Sequence, residues 1–318
     1  MYGLREILLS LSSTELTKDE SINLPKKYIT PGCWVVIAAI AKIQSYRSDR
    51  LIFADKNQED YAKAIKLHLA LDGTDPYPNH RKRSGVNYSP LAKLDSESST
   101  NFATTEINGC VRSICGGNSD SLSELLNVIG ELHDNVWSHG KDTGFSMAQK
   151  YQDYRYEEDI LEFALADTGY GFLAEMKRVG REINTHADAI KWCIQEGNTT
   201  KSSNHIDEFA QRVPDDIIGG SPYGYDIETF TSSNHHQGLG LYKLLELIKE
   251  YSGELFLASG DSGLHIDFQG NRNYIAIPNW KGVAISCKFK ESELTKSKPT
   301  KDLSPQIIDI MKKLRREK

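Results

Sequence analysis

The 318-residue sequence contains few cysteines and no long apolar run. Its five cysteines form no C-x-x-C pair, and an odd number argues against a disulfide framework. The longest uncharged apolar run, residues 28–41, is too short to cross a bilayer. Arg5 and Glu6 interrupt the short apolar start, so we expect no signal peptide. These absences predict a soluble cytoplasmic protein with reduced thiols and no membrane partner.

The chain also lacks an excess of positive charge. Its formal net charge is -6 at pH 7, which does not favour binding to nucleic acid or to an anionic membrane. Two local basic segments, residues 80–83 and 312–318, are typical of solvated surface. Nucleic acid is therefore not an expected partner.

Several familiar site signatures are missing. No G-x-x-x-x-G-K-[ST] segment occurs, so a P-loop is excluded. His235 and His236 are adjacent, but no further ligand follows at a zinc-like spacing. Residues 260–263 (GDSG) are similar to the nucleophile loop of trypsin-like proteases, yet a hairpin turn between two strands explains them better.

Residues 1–112 are predicted to form a small α/β domain of their own. Residues 34–43 are apolar enough for a helix or a buried strand, and periodicity does not distinguish the two. A short strand over residues 51–54 and a helix over residues 58–71 follow. The polar, turn-rich stretch 72–100 is expected to be a linker or a long surface loop.

Residues 113–290 carry clearer periodicity. Leucine, isoleucine and valine recur at helical spacing between positions 121 and 137, which predicts an amphipathic helix. A strand over residues 160–166 and a second amphipathic helix over residues 238–251 follow. Further strands are expected at residues 254–258, 264–268, 274–277 and 283–289. The last segment, residues 291–318, is predicted to be a polar linker and a short basic amphipathic helix.

Glu131, Asn135 and His139 are spaced by four residues and form one polar stripe on the first of these helices. A solvated surface is the ordinary explanation of such a stripe, yet asparagine is a weak helix former. Its amide oxygen beside a carboxylate suits Mg²⁺ on a phosphate chain, and Glu131 could orient or deprotonate an attacking hydroxyl or water. His133 lies on the apolar face and is expected to be a hydrogen-bonded core histidine.

A glycine motif, residues 167–171 (DTGYG), follows the strand directly. Gly169 and Gly171 allow a tight turn and the close approach of a flat ligand. The Asp167 carboxylate can accept a hydrogen bond from an exocyclic amine such as that of adenine. The same motif also matches a dinucleotide-binding fingerprint, with Asp188 near the expected acidic position. That alternative explains neither the polar stripe nor the next glycine motif.

The second glycine motif, residues 237–241 (QGLGL), opens the second amphipathic helix. Gly238 and Gly240 at a helix N-terminus would leave N–H groups available to a phosphate. Residues 172–237 between the two motifs are long and polar, as expected of a lid. Three lid residues could contact the terminal phosphate or be simple surface: Thr199, Thr200 and Lys201.

Taken in order, these segments resemble the GHKL superfamily, the ATPases of gyrase, heat-shock chaperones, mismatch-repair proteins and histidine kinases. Residues 131–140 resemble its N box, and residues 167–171 and 238–241 resemble its two glycine boxes. Its closing strands are matched by residues 252–263 and 282–289. The resemblance covers residues 121–290. It implies an α/β fold class, with a two-layer α+β sandwich of the Bergerat type preceded by the smaller α/β domain.

The resemblance implies a role for each matched residue. Asn135 would hold Mg²⁺, and Glu131 would be the general base or the water-orienting residue. Asp167 would recognise the adenine amine. The residues implied to bind ATP are Asn135, His139, Asp167, Gly169, Gly171, Thr199, Thr200, Lys201, Gly238, Leu239, Gly240 and Leu241. Many members carry a Gly-Thr pair on the last strand, where this chain has Gly282-Val283.

The region before position 121 does not contain the helical hairpin with a phospho-accepting histidine that sensor kinases need. Residues 50–71 resemble STAS-like units found beside anti-sigma-type ATPases. The expected function is Mg²⁺-dependent ATP binding and hydrolysis, acting as a signalling or conformational switch, with a protein partner or a second copy bound through the N-terminal domain. Two alternatives stay open: a protein kinase of the anti-sigma (serine) or histidine type, and a nucleotide sensor without turnover.

Overall fold

The computed structural model describes residues 1–12, 17–18, 20–116, 120–136, 142–196, 198 and 240–295. The fold is of the α/β class, as the sequence predicts, and is built on a five-stranded antiparallel sheet. Within these ranges no helix combines the length and apolar character needed to cross a membrane. The predicted C-terminal helix and most of the predicted lid lie outside the described residues.

The described part of the chain contains ten α-helices and eight strands. The helices are α1 (Leu4–Ser10), α2 (Pro31–Ile43), α3 (Lys56–Ala64), α4 (Leu67–Asp72), α5 (Glu97–Cys115), α6 (Asp120–Asn135), α7 (Gly171–Arg178), α8 (His186–Cys193), α9 (Gly240–Glu250) and α10 (Glu291–Leu294). The strands are β1 (Thr17–Lys18), β2 (Ser21–Asn23), β3 (Leu51–Ile52), β4 (Ala92–Leu94), β5 (Gly144–Asp153), β6 (Glu158–Asp167), β7 (Glu254–Ile266) and β8 (Arg272–Lys290).

The main sheet has the strand order β4-β5-β6-β8-β7, and every neighbouring pair is antiparallel. Strands β5 and β6 pair along their whole lengths, from Gly144 opposite Asp167 to Asp153 opposite Glu158. Strand β8 borders the other edge of β6. Asp167 therefore lies at the end of the central strand. The short strands β1, β2 and β3 form a separate small sheet.

Helices cover both faces of the main sheet. Leu161, Phe163 and Leu165 of β6 pack with α5, α6 and α9, because alternate residues of a strand point to the same face. Ala164 and Ala166 point the other way and pack with α1 and α2. The sequence predicted two layers, and the described residues form three. The difference arises because α2 covers the second face of the sheet.

Helix α2 is buried on all sides, which is why its sequence carries no clear apolar stripe. Every residue from position 31 to position 41 is buried. Proline at the first helical position suits a helix start, since its missing N–H would have no partner there. The sequence left residues 34–43 open between helix and strand, and the structure settles them as helix.

A buried carboxylate attaches the start of α2 to the sheet. Glu162 of β6 is fully buried and accepts hydrogen bonds from the Gly32 N–H at 2.9 Å and the Thr30 hydroxyl at 3.2 Å. The hydroxyls of Tyr151 and Ser286 donate to the same carboxylate, at 2.6 Å and 2.9 Å. A negative charge is favoured at a helix N-terminus, and four donors surround this one.

The boundary that the sequence placed at Arg112 falls within helix α5. The polar stretch 72–100 contains strand β4, which pairs with β5, and the start of α5. Ser96 begins that helix by accepting a hydrogen bond from the Ser99 N–H at 3.1 Å. Residues on both sides of Arg112 therefore share one sheet and its cores. The resemblance of residues 50–71 to a STAS-like unit stays a prediction.

The strand predicted over residues 160–166 is confirmed by β6, and the helix predicted over residues 121–137 is confirmed by α6 as far as Asn135, with position 137 outside the described residues. The single helix predicted over residues 58–71 is instead divided into α3 and α4. Lys66 adopts a left-handed conformation with φ of 62°, which interrupts the helical path between them.

The hairpin turn predicted at residues 260–263 is wrong. These residues lie inside the continuous strand β7, where the register with β8 shifts around Gly260. Gly260 has φ of 61°, so the segment is a β-bulge that glycine permits. The chain turns later, at Asp267, whose side chain accepts hydrogen bonds from the N–H groups of Gln269 and Asn271 at 2.9 Å each.

Candidate functional site

One pocket lies between helices α6, α7, α8 and α9, the end of strand β6 and the middle of strand β8. Four residues singled out by sequence line it: Asn135, Asp167, Gly171 and Leu241. They come from three motifs that are far apart in the chain. The fold brings them together because α6, the end of β6 and the start of α9 meet on one side of the sheet.

Asp167 is the buried carboxylate of this pocket, and its residue is only 6% exposed. Its Oδ1 accepts a hydrogen bond from the Gly169 N–H at 2.8 Å. Burial raises the pKa of Asp167 to about 7, although hydrogen bonds from the backbone of Gly169 and Val283 act in the opposite direction. The carboxyl group can therefore change protonation near neutral pH while facing the pocket.

Gly282 lies against Asp167 where no side chain can fit. A Cβ atom at Gly282 would come within 2.3 Å of the Asp167 carbonyl oxygen, and its φ of 96° also favours glycine. The next residue, Val283, donates its N–H to Asp167 and lines the pocket. Gly282 and Val283 thus hold Asp167 through backbone contacts.

A serine connects the start of α7 to the two strands beside the pocket. The Ser259 hydroxyl accepts a hydrogen bond from the Phe172 N–H at 3.1 Å and donates one to the Gly282 carbonyl at 3.0 Å. Gly171 lies close by, since a Cβ atom there would be 2.7 Å from the Ser259 hydroxyl. This network orients the glycine motif against the floor of the pocket.

The polar stripe of α6 is half-buried rather than solvated, as far as the structure describes it. Asn135 lines the pocket, together with its apolar neighbours Leu132 and Val136. Glu131 lies one turn earlier and contacts α9 instead of lining the pocket. Its side chain is 13% exposed and its Oε1 is 3.4 Å from the Lys243 Nζ.

His133 is a fully buried core histidine, as the sequence predicted. Its two ring nitrogens lie 2.8 Å from the hydroxyls of Thr104 and Ser146. Both hydroxyls also donate to backbone carbonyls, Thr104 to that of Thr100 at 2.9 Å and Ser146 to that of Ala164 at 3.0 Å. Burial lowers the pKa of His133 to about 3, which keeps the ring neutral and structural.

The pocket has an aromatic wall that was not predicted from the sequence. Phe172 and Trp192 line it from α7 and α8, and Tyr170 lies at its mouth with 64% of its surface exposed. Both helices lie in the first part of the predicted lid. The spacing of Phe172, Leu173 and Met176 is helical and could have indicated α7.

The other predicted site residues fall into two groups. Gly169 bonds to Asp167 beside the pocket, and Gly240 lies where α9 contacts Glu131. Six residues lie outside the described part of the chain: His139, Thr199, Thr200, Lys201, Gly238 and Leu239.

The dinucleotide alternative gains no support, because Asp188 is an exposed residue of α8 that pairs with Lys191 at 2.9 Å and does not line the pocket. Among the described residues, no three histidine, cysteine or acidic side chains cluster as metal ligands. Comparisons with protein-family models, with curated proteins and with solved structures found no match.

Proposed function

We propose that the chain binds ATP with Mg²⁺ and hydrolyses the ATP, as a GHKL-type ATPase that acts as a signalling or conformational switch. The observation that carries this proposal is the convergence of three predicted motifs on one pocket. Asn135 of the polar stripe, Asp167 and Gly171 of the first glycine motif and Leu241 of the second all line the pocket. A Bergerat-type arrangement around this pocket is part of the proposal.

The base would occupy the apolar part of the pocket. Phe172, Trp192 and Val283 supply flat or apolar contacts, and an aromatic ring can stack on a purine. Asp167 would accept the hydrogen bond of the adenine amine, because it is the buried acceptor at the floor. The backbone bonds from Gly169 and Val283 would hold that acceptor in place.

The phosphates would extend from the base toward the first turn of α9. Asn135 offers an amide oxygen on this path, which fits a metal that takes one protein ligand and completes its shell with phosphate oxygens and water. When bound, Mg²⁺ would neutralise charge on the phosphates and orient the terminal one.

Glu131 would orient the attacking water. It lies one helical turn from Asn135, about 6 Å along the axis of α6, and its carboxylate is mostly buried against α9. The water oxygen would bond to the terminal phosphorus as the bond from that phosphorus to ADP breaks, and the water proton would pass to Glu131.

The test is turnover of γ-labelled ATP by the purified chain with Mg²⁺. We expect Glu131→Ala to keep ATP binding and lose release of phosphate, by about 100-fold or more, because a general base contributes on that order. Asn135→Ala should weaken the Mg²⁺-dependent part of ATP binding. Glu124→Ala and Asn127→Ala are matched controls, since both residues are exposed on the same helix.

The outcomes separate the alternatives. ATP binding without release of phosphate would favour the protein kinase or the nucleotide sensor, and label transferred to a second protein would identify the kinase. Equal turnover in Glu131→Ala and Glu124→Ala would contradict the role given to Glu131. A folded wild-type chain that binds no ATP would overturn the proposal.

A further inference from the structure

An ion pair joins the two helices beside the proposed phosphate end of the site. The Lys243 Nζ of α9 lies 3.4 Å from the Glu131 Oε1 of α6. The Glu131 side chain is 13% exposed and the Lys243 side chain is 46% exposed. The carboxylate therefore contacts, on its solvent side, a cation that no sequence motif indicated.

Lys243 lies at a position of α9 that disfavours a positive charge unless an anion is close by. In the described part of the chain α9 begins at Gly240, so Lys243 lies in its first turn. That end of a helix carries partial positive charge and disfavours cations, whereas Lys249 in the last turn lies where a cation is favoured. The Glu131 carboxylate offsets this effect at Lys243.

The second oxygen of Glu131 is also confined. A Cβ atom at Gly240 would lie 2.9 Å from the Glu131 Oε2, so the first residue of α9 packs directly against this oxygen. One carboxylate oxygen thus faces Lys243 and the other faces the start of α9. These two contacts limit the orientations that the Glu131 carboxylate can adopt.

We propose that Lys243 is a positioning residue that holds the Glu131 carboxylate in the orientation needed to accept the proton of the attacking water. This inference rests on the proposed ATPase function. The reaction itself is unchanged: water adds to the terminal phosphorus, the bond to ADP breaks, and Glu131 takes the proton. Lys243 acts through Glu131 and contacts neither reactant.

The experiment compares the steady-state kinetics of Lys243→Met, Lys243→Arg and Lys249→Met in the full chain. We expect Lys243→Met to lower kcat about tenfold with KM for ATP unchanged, because misplacement of a catalytic group costs rate rather than binding. Arginine should restore most of kcat, since it keeps the charge. Lys249→Met is the matched control, an exposed lysine on the same helix, and should behave as wild type.

A double-mutant cycle adds a measurement that a purely structural role would not affect. In a Glu131→Gln background, Lys243→Met should cause no further loss of kcat, because the group it positions is already removed. A full additional tenfold loss there would overturn the inference.

Other outcomes are equally decisive. A raised KM with unchanged kcat in Lys243→Met would mean that Lys243 binds phosphate directly, and unchanged kcat and KM would mean that the pair has no part in turnover. Either result overturns the inference and leaves the ATPase proposal standing. Absence of turnover in folded wild-type protein overturns both.

Discussion

At the scale of single residues, Asp167 stands out among the residues that line the pocket, because its carboxyl group is buried. Removal from water raises its pKa to about 7, although two backbone N–H groups point at it. Burial therefore makes ionisation of Asp167 lower the free energy of unfolding.

This cost predicts a pH dependence of stability. The unfolded chain loses the Asp167 proton near pH 3.8 and the folded chain near pH 7, so the stabilising contribution is complete below pH 3.8. It is lost as pH rises toward 7, at about 1.4 kcal/mol per pH unit. Asp167→Asn removes the effect. The free energy of unfolding of this variant, measured in urea, should therefore rise relative to wild type between pH 4 and pH 7.

Asp188→Asn is the control for that measurement. Asp188 is exposed and its pKa is lowered by its bonds to Thr185 and Lys191, so its variant should run parallel to wild type over the same pH range. A parallel course for Asp167→Asn as well would contradict the raised pKa of Asp167.

At the scale of secondary-structure elements, the floor of the pocket depends on how β6 and β8 approach each other. Gly282 of β8 combines a positive φ with direct contact to the Asp167 backbone. We expect Gly282→Ala to lower the free energy of unfolding by about 3 kcal/mol or more, since backbone strain and steric overlap both apply. Chemical denaturation would measure this loss.

Gly270→Ala separates the two causes. Gly270 has φ of 84° but would meet nothing within 4 Å, so its variant carries the backbone strain alone. A loss of about 1 kcal/mol is expected there. Equal losses in the two variants would show that the contact with Asp167 is not a constraint.

The elements also show what sequence could predict. Helices α6 and α9 could be predicted because one face of each packs on the core and the apolar spacing records it. Strand β5 could not, since residues 144–149 are buried on both faces and show no alternation. The bulge at Gly260 looks like a turn in the sequence, and pairing with β8 overrides that local preference.

The candidate site divides in the same way. Asn135 and Asp167 could be predicted because each belongs to a recognisable motif on a regular element. Trp192 could not, because α8 lies in a polar segment where no apolar run marks it. The contact between Lys243 and Glu131 depends on how α6 and α9 cross. The spacing of residues within either helix does not predict that crossing.

At the scale of the whole molecule, the layer made by α1 and α2 belongs to the same packed unit as the pocket. Glu162 connects the two through four hydrogen bonds. Glu162→Ala should lower the free energy of unfolding by about 3–5 kcal/mol, because it leaves buried donors without their charged acceptor. Asp159→Ala, an exposed carboxylate on the same strand, should change it little.

Unfolding should also remain a single transition in wild type, with circular dichroism and tryptophan fluorescence changing together, since one sheet serves both layers. Two separate transitions would instead support the independent N-terminal domain that the sequence predicted.

Strand β6 couples the layer formed by α1 and α2 mechanically to the pocket. It carries Glu162 under the start of α2 and ends at Asp167 in the pocket, five residues further along. An extended strand sets their separation at about 17 Å. Neighbouring strands on both edges and helices on both faces prevent the strand from bending or sliding alone. Glu162 and Asp167 therefore keep a fixed separation along β6, so that a displacement of one is accompanied by a displacement of the other.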